Sequence, residues 1–279
     1  MNVNVRIPTF TAPVDVMSMR YRHIMKYFTT RSRLLLLAVA IWLGGASCNR
    51  HFVPRGQAAY TELQVDSTIV ADPDYVNFYA PYKKQLETEM NRVVGHAAVS
   101  LTKSREAPET LLGNFFADVL LAAARAQDPE AEFSFGTKGG LRIELSQGPI
   151  TIGNLFELMP FENEIVILEL SGEKVLELAR FIAVTGGQPV SGIRMAINDG
   201  QATNVRINGK PVDTGRTYKL VTYDYLANGG DNSRGLTDPV SRTNLGIKVR
   251  EALIDYVTNE ARAGNEINVQ LDGRITRNQ

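Results

Sequence analysis

The chain has 279 residues, 44% of them hydrophobic and 22% charged, with 23 Gly and 12 Pro, values that exclude a disordered, collagenous or coiled-coil protein. Thirty Lys and Arg balance thirty Asp and Glu, so charge makes no case for a nucleic acid polymer or a polyanionic surface as partner. A single cysteine excludes an intrachain disulfide and a cysteine-based zinc site, and three histidines (His23, His51 and His96) leave little for a metal centre.

In chain order, residues 34–43 (LLLLAVAIWL) are apolar, too short a run for a membrane span, which needs about 20. Lys26, Arg31 and Arg33 precede this run and Gly44, Gly45, Ala46 and Ser47 follow it, the basic, apolar, small order of a secretory signal. Residues 1–47 are expected to be a leader and signal peptide, with Met25-Lys26 the more natural start. Cys48 follows Gly45-Ala46-Ser47 and resembles the acylated cysteine of a bacterial lipobox, with Gly45 where Leu is usual. The alternative is an ordinary signal beside an unrelated cysteine. Residues 1–47 hold six basic and one acidic residue, so cleavage leaves 24 basic and 29 acidic, net −5. Residues 48–71 show no period and read as a tether, and residues 72–279 read as one domain.

Asp72-Pro73-Asp74 opens a helix predicted over residues 75–94, and residues 96–101 read as a short strand. Residues 108–126 are the clearest helix. There Leu111, Leu112, Phe115, Phe116, Val119 and Leu120 build one wide apolar face, with Pro108 in the first turn. Strands are predicted at 132–135 and 165–170, then a helix with Val175, Leu178, Ala179 and Ile182 on one stripe and Ser171 as its cap. Strands follow at 193–197 and 205–207, and Asn208-Gly209 is a hairpin turn leading to Pro211-Val212. A strand at 218–223, a helix at 245–261 and a closing strand at 267–271 complete the chain. Strands and helices mix without a regular βαβ beat, which predicts an α+β domain of mixed β-sheets covered by helices.

Neither His51, in the tether, nor His96, in a strand, has a neighbour at metal-ligand spacing, and the sequence holds no GxSxG, Walker A or GxGxxG motif. What remains are four glycine-rich or proline-braced loops, at residues 136–142, 159–163, 186–192 and 224–232. Each alone is an ordinary turn. Together they offer an arginine for phosphate, two rings for a base and a carboxylate for ribose hydroxyls.

The segments that carry this chemistry are ETLLGNFFAD at 109–118, GGLR at 139–142, MPF at 159–161, VSGIR at 190–194 and YLANGGD at 225–231. In order and spacing they resemble the C-terminal, substrate-binding domain of the 5'-nucleotidase and UDP-sugar hydrolase family, over about residues 75–275. The resemblance implies that Phe161 and Tyr225 sandwich a nucleobase, Tyr225 standing where the family has Phe. It implies Asn163 at the base edge, Gly192 offering backbone beside it, Asp231 on the ribose hydroxyls and Arg142 on the phosphate. Since stacking needs only the ring face, Tyr225→Phe is expected to cost little. Arg105 is near, but offset from, a further family arginine. Thr137 replaces a family Asn, while Asn114 and Asp118 are expected to fix local structure.

Family enzymes carry a separate N-terminal metallophosphoesterase domain whose two metal ions activate water, and its His-rich motifs are missing from this sequence. The resemblance thus implies a nucleotide-recognition subunit of a split hydrolase at the cell envelope, with no cofactor in this chain. Divalent metal ions would reside on a separate metallophosphoesterase subunit, and the only membrane attachment would be a lipid on Cys48. A stand-alone nucleoside- or nucleotide-binding lipoprotein is the alternative. A structural envelope protein that has lost its ligand is a third reading, against which the intact Arg142, Phe161, Tyr225 and Asp231 argue.

Overall fold

The computed structural model describes residue 66 and residues 68–278, so the leader, the signal segment, Cys48 and most of the tether lie outside the described residues. Residues Ala71–Gln279 form one compact unit. Its elements begin α1 (Pro73–Met90), β1 (Val93–Ala97), α2 (Leu111–Arg125), β2 (Phe133–Phe135), β3 (Gly148–Thr151), α3 (Ile152–Leu158), β4 (Glu164–Ser171) and α4 (Gly172–Val184). They continue β5 (Val190–Ser191), β6 (Ile193–Asn198), β7 (Gln201–Ile207), β8 (Lys210–Pro211), β9 (Thr217–Tyr223), α5 (Asp224–Ala227), β10 (Ser241–Lys248), α6 (Val249–Arg262) and β11 (Ile275–Asn278).

Local chemistry sets most helix starts. Asp72 accepts the Asp74 amide at 2.9 Å with Pro73 in the first turn of α1, and Ser171 accepts the Lys174 amide at the start of α4. The long apolar helix starts later than expected. Thr110, not Pro108, begins α2 by accepting the Gly113 amide at 3.1 Å, which leaves Pro108 outside. α1 ends at Met90, short of residue 94, because Val93 and Val94 join β1 instead. No residue of α1 is buried, and Tyr75, Phe78 and Tyr82 stay exposed on it.

The described residues form three sheets. The central one has the order β10-β4-β9-β2-β5, antiparallel throughout except where β2 runs parallel to β9. A four-stranded sheet has the order β11-β6-β7-β8, and β1 pairs with β3. The Asn208-Gly209 turn joins β7 to β8 with both residues at positive φ, 50° and 77°, the conformation an Asn-Gly hairpin favours. The core gathers Phe115, Phe116 and Leu120 of α2 against Phe133, Phe135, Ile167 and Val221 of the central sheet. Burying each such side chain contributes roughly 1.5–3 kcal/mol. The architecture is α+β.

Three more expected elements differ, the first being β1, which spans Val93–Ala97 and not residues 96–101. Residues 245–248 belong to strand β10, paired with β4 from Ser241↔Glu169 to Lys248↔Glu164, and α6 starts only at Val249. The apolar residues Leu245 and Ile247 pack on the core from a strand, which a helical pattern running on into α6 conceals. The closing strand is β11, parallel to β6, not residues 267–271, where Ile267 makes a single bridge to Ala97. β3 and α3 have no counterpart in the expected order. A reciprocal cap between Thr151 and Asn154, at 3.2 and 2.9 Å, starts α3.

Candidate functional site

Strand directions bring three loops to one end of the central sheet. β4 and β9 are antiparallel with Ile165 opposite Tyr223, so the loop before β4 and the segment after β9 meet. β2 runs parallel to β9, so the turn after β2 arrives at the same end. Between these loops lies a cleft of about 670 Å³, lined by Gly139, Gly140 and Arg142 of the first, Met159 to Asn163 of the second, and Tyr223, Tyr225 and Asp231 of the third. Five of the six residues assigned to ligand by the sequence, Arg142, Phe161, Asn163, Tyr225 and Asp231, are therefore neighbours in space.

Gly192 is not brought there. It sits at the β5–β6 junction with φ +74°, where an added Cβ would fall 2.3 Å from the Glu132 carbonyl oxygen. It lines a separate cavity of about 320 Å³ with Arg194 and Arg206. Its glycine serves a close crossing of two backbones, not the cleft.

The two rings are half-exposed, Phe161 at 40% and Tyr225 at 47%, unlike Tyr223, which is 1% exposed and packs edge-on against Phe116 with centroids 6.2 Å apart. Phe161 rides on a loop gripped by the first turn of α6. The buried Arg250 donates from Nη1 to the carbonyls of Met159 and Phe161, both at 3.3 Å, and from Nη2 to Glu162. Its guanidinium lies 4.1 Å from the Phe156 ring centroid. Lys248 also pairs with Glu162, and these two cations, Lys248 first, hold the Glu162 carboxyl down at about 2. The Val249 amide bonds the Asn163 carbonyl at 2.9 Å.

Asp231 stands at φ +53°, and three hydroxyls lead to its carboxylate. The Thr137 hydroxyl donates to Oδ2 at 2.6 Å and the Tyr225 hydroxyl donates to Oδ1 at 3.0 Å. Because Thr137 gives its proton to Asp231, the Tyr223 hydroxyl at 3.2 Å must donate to Thr137. Burial pushes the Tyr223 phenol up to about 12, so it stays a donor. The Tyr225 hydroxyl also accepts the Asp231 amide at 3.3 Å, and its ring crowds Gly230 so closely that a Cβ there would fall 2.4 Å from Cε1. The Tyr225 hydroxyl thus has a role that stacking alone does not give it.

Arg142 has no carboxylate within ion-pair distance among the described residues, and its guanidinium carbon is 5.9 Å from the Phe161 ring centroid. Arg142 and Gly139 also line an adjoining cavity of about 500 Å³ together with Lys103, Arg105 and Lys138. There Lys103 donates to the carbonyls of Leu141 and Arg142, both at 2.9 Å, and Lys138 donates to the Ala107 carbonyl at 2.6 Å. Burial, then the charge of Arg277, lowers the Lys138 amine. Four cations against Glu144 make this shoulder of the cleft electropositive, suited to an anionic group.

Elsewhere Asn114 bonds Glu109 and the Gln270 carbonyl, and Asp118 pairs with Arg274 at 2.8 Å, so both fix local structure. His96 is an exposed residue of β1. Among the described residues no group of three or more His, Cys, Asp or Glu side chains is placed to hold a metal ion. Sequence reasoning gave no role to Tyr223, Asp224 or Arg250. Tyr223 and Arg250 look like ordinary strand and helix residues until their partners arrive from distant loops.

The mixed-sheet α+β domain thus presents two half-exposed rings, a bonded carboxylate and an arginine with no carboxylate in ion-pair reach among the described residues, all around one cleft. The chain belongs to the 5'-nucleotidase C-terminal domain family, whose model matches residues 93–238, more than half of its length. It is 27% identical over 213 residues to a 5'-nucleotidase of Vibrio cholerae, a match that spans 72% of this chain and 37% of that one. It is 28% identical over 232 residues to a trifunctional nucleotide phosphoesterase of Bacillus subtilis, covering 76% of this chain and 16% of the relative. Among solved structures, a 5'-nucleotidase precursor from Thermus thermophilus superposes with a TM-score of 0.63 at 26% identity, over 72% of this chain and 42% of that one. The chain thus matches less than half the length of each of these relatives.

Proposed function

We propose that this chain binds a nucleotide or nucleoside and acts as the substrate-recognition subunit of a 5'-nucleotidase-type phosphoester hydrolase in nucleotide catabolism. A separate metallophosphoesterase subunit carries the divalent metal ions that activate water. The cleft carries the reading. A base lies between Phe161 and Tyr225, and a phosphate meets Arg142, which has no competing carboxylate among the described residues. A carboxylate accepts about four hydrogen bonds. Thr137 and Tyr225 supply two to Asp231, and the two hydroxyls of a ribose supply the rest. This chain's residues bind and orient, and the partner cleaves. The reading agrees with the relatives being a 5'-nucleotidase and a nucleotide phosphoesterase, of which this chain matches only part.

Residues 1–47 deliver the chain to the envelope and Cys48 bears the lipid that anchors it facing the periplasm. Cys48→Ser then releases a soluble or unprocessed form, and a mature N-terminus elsewhere with unchanged membrane extraction refutes the anchor. Calorimetry with adenosine and AMP tests recognition directly. No binding of any nucleoside or nucleotide refutes it. Adding envelope extract is expected to give chelator-sensitive AMP hydrolysis that the purified chain lacks. Chelator-sensitive turnover by the pure chain refutes the subunit assignment, and binding with no active partner favours a stand-alone binding lipoprotein.

A further inference from the structure

We propose that Asp224 is the positioning residue of the cleft: it sets the spacing of the two aromatic rings and turns the Asn163 amide so that its carbonyl oxygen faces the ligand. The inference rests on the nucleotide reading above and deepens it by naming the base edge that the site takes.

One atom makes the tie. Asp224 Oδ1 accepts the Asn163 side-chain amide at 2.8 Å and the Tyr225 backbone amide at 2.7 Å. Asn163 ends the loop that displays Phe161, and Tyr225 is itself the second ring. The bond joins loops 61 residues apart, and among the described residues it is the one side-chain hydrogen bond between them. The main chain of Asn163 is held from another direction, by the Val249 amide. Phe161 and Tyr225 are thus referenced to each other through Asp224.

The same bond orients the amide. An ionised carboxylate only accepts, so the Asn163 NH₂ must point at Asp224 and its oxygen must point away. Asn163 lines the cleft, and its Oδ1 accepts no hydrogen bond from the described residues. A base that covers this half-buried oxygen displaces water from it and must offer a donor in return to keep the bond. The site therefore takes a base that offers an N–H at that edge, as the exocyclic amino group of adenine does, and disfavours an otherwise equal base without it.

The test uses the full-length protein with isotope-labelled asparagine, the Asn163 side-chain amide being assigned by its loss in Asn163→Asp. In the parent this amide is expected to be shifted downfield and protected from exchange. Asp224→Ala is expected to remove both signatures and weaken adenosine about tenfold, and to narrow the parent's preference for adenosine over purine riboside, which lacks the amino group. Asp224→Asn keeps one acceptor oxygen and restores part of both effects, and it carries the test if the Ala variant does not fold. The exchange variant Asn163→Asp/Asp224→Asn rebuilds the tie with reversed polarity and still offers the base an acceptor. It is expected to recover most of the adenosine affinity. A protected amide in a parent that binds no nucleoside refutes the nucleotide reading and leaves the tie standing. An unprotected amide in the parent, parental affinity in Asp224→Ala, or an exchange variant no better than Asp224→Ala overturns the role of Asp224.

Discussion

Replacing either aromatic ring by alanine separates a ligand clamp from a core contact, because the two roles predict different losses. Truncating a fully buried aromatic costs roughly 3–5 kcal/mol of stability. Phe161 and Tyr225 leave 40% and 47% of their surface in solvent, so only about half of that contact is lost. Burial of half a ring contributes about 1 kcal/mol on the area scale, so each variant is expected to stay folded with a small drop in melting temperature. Ligand affinity should fall further. A base stacked on a ring contributes roughly 1–3 kcal/mol, so either variant is expected to bind adenosine about ten- to a hundredfold more weakly. Titration calorimetry gives the affinity, and a thermal melt of the same sample gives the stability. A folded double Ala variant with parental adenosine affinity would refute the clamp. Losses in affinity that track losses in stability would mean that the rings are core residues.

Tyr225→Phe removes a donor to Asp231 and an acceptor for its amide, so riboside binding is expected to weaken by about 0.5–1.5 kcal/mol, more than the ring face alone implies, as calorimetry will show. Asp231→Ala is expected to penalise adenosine more than free adenine, and equal losses for the two would dissociate Asp231 from the sugar. The Glu162 carboxyl is held at about 2, below its ordinary 4.5, so its anchoring of the Phe161 loop is complete above pH 4.5. That anchoring is lost as pH falls through about 2. A stability profile in acid should show this loss in the parent and lack it in Glu162→Gln. Gly192→Ala forces a Cβ to 2.3 Å from the Glu132 oxygen at a positive φ, so a melting curve should show marked destabilisation. Any surviving folded fraction is expected to bind adenosine normally.

What the sequence determined by itself is what arises within a few residues. The apolar face of α2, the Ser171 cap and the Asn208-Gly209 turn depend on neighbours along the chain, and each forms as its pattern demands. The chemistry of the loops was also legible, since an arginine, two rings and a carboxylate keep their donors, acceptors and faces in any fold. Tertiary structure decided which of them meet. The antiparallel β4–β9 pair and the parallel β2–β9 pair carry Arg142, Phe161 and Tyr225 to one sheet end, and the β5–β6 junction keeps Gly192 away from it. The end of strand β10 reads as helix locally because Leu245 and Ile247, which pack on the core from the strand, run straight into the period of α6. The roles of Asp224 and Arg250 carry no local signal because the partners that define them, Asn163 for Asp224 and the 159–162 loop for Arg250, are 61 and 88–91 residues away. Strand pairing and buried polar contacts satisfy groups from distant segments, and only the closed fold brings those segments together.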